Sequence, residues 1–175
     1  MGNILSREII AICQGSLPLH YNDCSGFVRD VASQCGIFLL GNANEIITYA
    51  SKAWVSPSVD ATQLEKAFWA RDKAQNGFLV VAGVEAAGHG HVVVVIDGPL
   101  SRNAYPHAFW GQYHGLTVLG EIVNVGFTRG HGGINWSFGE KARERLLYAA
   151  CETIPSFTHD AASKYELDTG HILYW

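Results

Sequence analysis

Apolar positions recur at helical intervals through the first part of the chain and at strand intervals after it. Residues 3–13 set Ile4, Leu5, Ile9, Ile10 and Ile12 on one side of an amphipathic helix. A connecting loop follows over 15–23. Phe27, Val28, Val31, Ala32 and Cys35 then predict a second helix over 23–36, stopped by Gly36. A short third helix is expected over 41–51, capped by Asn42 or Asn44, and a fourth over 61–75, ended by Asn76-Gly77. Between these two, residues 54–60 contain Pro57 and read as a loop. The character then changes. Residues 78–84 and the β-branched run 92–96 predict two strands, joined by a glycine-bearing turn over 85–90 and ended by Asp97-Gly98-Pro99. Further strands are expected at 107–113 and 117–124, a glycine-rich loop at 126–133, and a last helix over 139–152. That last helix would carry Lys and Arg on one face and Leu146, Leu147 and Ala150 on the other. Helices first and strands second imply an α+β fold, with helices packed on one face of a mostly antiparallel sheet. Neither a repeat nor a composition break divides the chain, so residues 1–175 read as one domain.

Composition narrows the function classes. With 48% hydrophobic and 16% charged residues in 175, the chain is expected to be globular. A net charge of -4 without a basic block argues against nucleic acid as a partner. No segment reaches the ~18 apolar residues of a membrane span, so no membrane partner is expected. Arg7 and Glu8 interrupt the N-terminal apolar residues and no small-residue cleavage site follows, so that segment reads as a helix rather than a signal peptide. Met1-Gly2 with Ser6 fits the bare myristoylation pattern, but the match is short and common, so a helix N-cap is the better reading. Cys13, Cys24, Cys35 and Cys151 form no CxxC pair, so a structural zinc site is not expected.

The segment Tyr21-Asn22-Asp23-Cys24-Ser25-Gly26-Phe27 carries the clearest chemistry. Asp23 is a good N-cap, which puts Cys24 at the start of the second helix. A helix N-terminus presents unsatisfied N–H groups that favour a thiolate and can hold an oxyanion. The plain alternative is a buried small hydrophobe, the usual fate of a free cysteine. A thiolate enzyme needs a base, and His91 opens the strand 92–96 directly after the glycine turn. It could instead be a hairpin-end histidine without a role, and His89-x-His91 is also compatible with a metal.

Asp23-Cys24-Ser25-Gly26-Phe27, a strand pair, and Gly90-His91-Val92-Val93 together resemble the NlpC/P60 cysteine peptidases of bacterial cell walls. A nearer resemblance is to the first family of type VI secretion amidase effectors. It runs in register from Cys24 to about Tyr105, through Cys24-Ser25-Gly26-Phe27-Val28, Gly41-Asn42-Ala43-Asn44, Gly77-Phe78-Leu79-Val80, Gly90-His91-Val92, Gly98-Pro99-Leu100 and Tyr105-Pro106. The tail over 155–175 is longer than that family needs. The resemblance implies a papain-like core, with Cys24 as nucleophile and His91 as base; no cofactor or metal is expected. The implied reaction is cleavage of the γ-D-glutamyl–meso-diaminopimelate bond in peptidoglycan stem peptides. It further implies an antibacterial toxin, secreted without a signal peptide by a type VI apparatus, delivered to the periplasm of a target bacterium and blocked in the producer by a periplasmic immunity protein. NlpC/P60 enzymes take a third, base-orienting residue from the strand after the histidine, which points to His107, followed by Gln112 and His114. A γ-linked D-glutamyl group carries a free α-carboxylate beside the scissile carbonyl. Ser25, Asn42 and Asn44 would offer uncharged donors to it without raising the thiol pKa, although helix capping alone explains both asparagines. In a papain-like shell the first and last helices flank one side, which makes a Cys13–Cys151 bridge geometrically feasible in an oxidising periplasm. Two other functions fit the same pattern: a housekeeping wall hydrolase or acyltransferase, and a non-catalytic binding module that would be favoured by a Cys24 that is buried or faces away from His91.

Overall fold

The computed structural model describes residues 4–20, 22–111 and 130–154, with the backbone of two short strands between the last two stretches. Four helices come first: α1 (Ser6–Ser16), α2 (Cys24–Gln34), α3 (Ala43–Ala53) and α4 (Gln63–Gln75). Their starts are set by side chains. Asp23 accepts the Gly26 N–H at 2.7 Å, and Asn42 and Thr62 form reciprocal capping boxes with Glu45 and Glu65. A 3₁₀ turn (Leu17–Leu19) joins α1 to the approach to α2.

The strands follow: β1 (Phe78–Val84), β2 (His91–Val95), β3 (His107–Phe109), β4 (Thr117–Val118), β5 (Glu121–Ile122), β6 (His131–Gly133) and β7 (Leu147–Glu152). Five of them form one antiparallel sheet in the order β6-β3-β2-β1-β7, and β4 pairs with β5 apart from it. Between β6 and β7 lie a 3₁₀ turn (Ile134–Trp136) and a short helix α5 (Glu140–Arg143).

Two sequence expectations are corrected. The first is the helix over 139–152. Only its first turn is helical; Leu147–Glu152 is β7, paired with β1 from Phe78↔Glu152 to Gly83↔Leu147. The alanines that suggest a helix are outweighed by pairing along the open edge of β1. The second is the one-sided sheet. Leu79, Val81, Val92, Val94 and Phe109 face α1, α2 and α3, whereas Val80, Ala82, Val93, Val95 and Ala108 face Ala70 and Ala74 of α4 together with Ile134 and Phe138. Unbroken apolar runs in β1 and β2 require cover on both faces, and the chain provides it. The α+β class and the antiparallel sheet stand as expected, in a layout consistent with a papain-like fold.

The expected strand over 107–113 is β3 alone among the described residues, and the tail over 155–175 lies outside them, as do Gln112 and His114. No helix among the described residues is long and apolar enough to cross a membrane.

Candidate active site

Cys24 is the first residue of α2, as the Asp23 cap dictates. The start of the helix is fixed to the segment that leaves β3, because the Asp23 N–H donates to the Gly111 carbonyl at 3.2 Å. That contact needs glycine: a Cβ on Gly111 would come within 2.4 Å of the Asp23 carbonyl oxygen and 2.5 Å of the Phe27 Cβ. His20 braces the approach, with Nε2 3.1 Å from Asp30 Oδ2 and its ring edge-on to Phe27.

The Cys24 side chain is only 2% exposed and belongs to the core shared by α1–α3 and the sheet. Burial pushes its thiol pKa up. Against this, the backbone amide of Val92 and the Ser25 hydroxyl stabilise the sulfur's charged form, while the Asp23 carboxylate disfavours it. Ser25 Oγ lies 4.0 Å from Sγ, and Ser25 is buried beside it. The sulfur therefore rests against the residue that follows His91.

His91 opens β2 opposite Val84. The turn before it is held by Asn44, whose side-chain amide donates to the Ala86 carbonyl at 2.9 Å and accepts from the Ala86 N–H at 3.1 Å. Gly90 lets the turn close, since a Cβ there would sit 2.2 Å from Asn44 Oδ1 and 2.6 Å from the Val84 carbonyl oxygen. His89 turns its Nδ1 to the Gly90 carbonyl at 2.7 Å. The imidazole of His91 packs against Phe138, with centroids 4.9 Å apart, and its Nε2 lies 2.7 Å from Ser137 Oγ. Enclosure of the ring, followed by the nearby His89, lowers its pKa to about 3. A protonatable thiol and a neutral imidazole are the resting forms near neutral pH.

The structure thus brings Cys24 to the strand end that carries His91. It does not bring His107 there. The Ile96 N–H donates to the His107 carbonyl at 2.9 Å, so His107 lies five residues along β2 from His91. At ~3.4 Å per residue that is about 17 Å, too far to orient the imidazole. His107 instead lines a cavity of about 310 Å³ between α1 and the β3–β6 edge, with Ile10, Leu17, Phe109 and His131; neither Cys24 nor His91 lines it. Ser137, which does reach the imidazole, was not singled out by the sequence. A lone serine after a glycine-rich stretch carries no periodic or motif signal. Asn42 and Asn44 are occupied as described, the first as the α3 cap and the second as the turn clamp. Cys13 and Cys151 are free thiols, and Cys35 is the cysteine that shares the buried surroundings of Cys13.

No family model matches the chain. It is similar to the peptidoglycan amidase Tse1 of Pseudomonas aeruginosa, at 35% identity over 135 residues that cover 69% of this chain and 83% of that protein.

Proposed function

Because this chain belongs to the family of the peptidoglycan amidase Tse1, we propose that it is itself a peptidoglycan amidase, with Cys24 as nucleophile and His91 as general base. The observation that supports the assignment is the seating of the Cys24 sulfur at the start of α2 against the amide of Val92, the residue that follows His91 in β2. In this reading the thiol attacks the scissile carbonyl, its proton passes to the imidazole, and an S–C bond forms. N–H groups of the first turn of α2 steady the developing oxyanion. Collapse of the tetrahedral intermediate breaks the C–N bond, with the imidazolium giving its proton to the departing amine. Water, activated by the same imidazole, then hydrolyses the thioester and restores the thiol. The raised thiol and lowered imidazole pKa values favour a neutral resting pair, in which the proton moves as attack proceeds.

The bond cleaved is the γ-D-glutamyl–meso-diaminopimelate bond of stem peptides, and the setting is delivery by a type VI apparatus into a target periplasm, with a periplasmic immunity protein as antagonist. These finer statements rest on the sequence resemblance. Of the donors expected for the α-carboxylate, Ser25 lies beside the sulfur but is buried, Asn42 is exposed, and both polar atoms of the Asn44 amide are taken up by Ala86.

One observation favours a second reading. Cys24 is nearly fully buried, which suits a non-catalytic papain-like module that binds the wall without cutting it. Incubation with defined muropeptides, with product masses measured for the wild type and Cys24→Ala, separates the two. Release of the diaminopimelate-containing fragment by the wild type alone is expected. Binding without any product would establish the module, and cleavage at another amide would remove the bond assignment.

A further inference from the structure

We infer that Ser137 is the positioning residue of this site, holding the His91 imidazole in its Nε2–H tautomer so that Nδ1 is the nitrogen that takes the thiol proton. The inference rests on the cysteine-hydrolase reading above and assigns a role to a segment 46 residues away from His91.

The geometry has three parts. First, the contact is short: Nε2 lies 2.7 Å from the hydroxyl of Ser137, a residue only 4% exposed. A neutral imidazole has one N–H and one lone pair, so a hydroxyl that accepts from Nε2–H leaves the lone pair on Nδ1. Second, the same segment grips the ring by its face, because Phe138, the next residue, packs at 4.9 Å and 57°. Edge and face together fix both the tilt and the rotation of the imidazole. Third, the segment is itself anchored. The Ser137 and Phe138 N–H groups donate to the Ile134 carbonyl at 3.0 and 3.1 Å, and the Ile134 N–H donates to the Pro106 carbonyl at 2.9 Å. The Arg143 guanidinium donates to the Asn135 and Phe138 carbonyls at 3.2 and 3.0 Å, bracketing Ser137 on both sides. A serine with a merely structural role would need one partner for its hydroxyl. Here the turn around it is tied to the sheet and to α5, and its hydroxyl is presented to the ring.

A hydroxyl in place of a carboxylate also fits the charge state of the pair. It orients the ring without adding the negative charge that would preform an imidazolium.

The test uses the full chain, with Ser137→Ala and Ser137→Thr beside Cys24→Ala. On a muropeptide substrate, Ser137→Ala is expected to lower kcat about ten- to a hundred-fold with KM nearly unchanged. Ser137→Thr, which keeps the hydroxyl, should recover most of the loss. Nitrogen-15 spectra of the side-chain imidazoles should show His91 as the Nε2–H tautomer in the wild type and as a tautomer mixture in Ser137→Ala. An Nδ1–H tautomer in the wild type, or full kcat in Ser137→Ala, overturns the assignment. The wild-type spectrum decides even where a variant folds poorly. Activity surviving in Cys24→Ala would instead bring down the hydrolase reading itself.

Discussion

At the scale of single residues, the surroundings of Cys24 pull in opposite directions. Burial and Asp23 disfavour the thiolate, while the Val92 amide and the Ser25 hydroxyl favour it. Asp23 has two separable roles, since its side-chain oxygen caps α2 and its charge acts on the thiol. Asp23→Asn keeps an acceptor for the Gly26 N–H and removes the charge. The thiol pKa should fall, and alkylation of Cys24 at neutral pH should speed up while the unfolding midpoint barely moves. Iodoacetamide kinetics followed by mass of the Cys24 peptide measure this. Unchanged or slower alkylation would mean that the carboxylate does not act on the sulfur. The proposed pair makes a second prediction. Cys24→Ala and His91→Ala should each abolish hydrolysis, and the double variant should be little worse than either, because the two groups act as one unit. Additive losses measured on muropeptides would argue against a shared step.

At the scale of elements, the turn between β1 and β2 shows how the candidate base is placed. Asn44 mimics a neighbouring strand by offering Ala86 both a donor and an acceptor, and Gly90 leaves room for it. Asn44→Ala removes both hydrogen bonds and should cost about 1–2 kcal/mol. It should also speed amide exchange at the Val84 and His91 end of the hairpin, more than at β7. Urea midpoints and hydrogen exchange check this; equal loosening of both ends would mean that the clamp is not local. Gly90→Ala should be worse, because its Cβ meets backbone as well as the Asn44 amide. Much of this level was legible from sequence. The Asp23 cap marks the start of α2, and the β-branched run marks β2, because caps and periodicity are local signals. β7 was not legible, since Leu147, Tyr148, Ala149 and Ala150 have no strand pattern of their own and become a strand only by pairing with β1. Likewise the distance from His107 to His91 depends on the β2–β3 register, and the Ser137 contact depends on how the chain returns after β6. Neither is encoded in spacing along the chain.

At the scale of the whole molecule, the sheet divides two apolar layers, and ionisable groups packed against or within them tie stability to pH. His91 has a pKa of about 3 in the folded protein against an ordinary value of 6.5. Between those values the unfolded chain binds a proton that the folded one refuses, so stability rises with pH across that window and is lost as pH falls through it. One proton changes stability by at most about 1.4 kcal/mol per pH unit there. On the alkaline side the direction reverses. Burial holds Cys35 up to about 12 and raises Cys13 as well, so above an ordinary thiol value near 9 the unfolded chain loses protons that the folded one keeps. These groups should therefore leave stability unchanged between about pH 6.5 and 9 and lower it on either side. The acid arm can be assigned to one residue. From pH 7 to pH 5 the wild-type urea midpoint should fall, whereas that of His91→Gln should fall distinctly less. Parallel declines in the two proteins would show that the imidazole is protonated freely in the folded state and is not held neutral by its packing against Phe138.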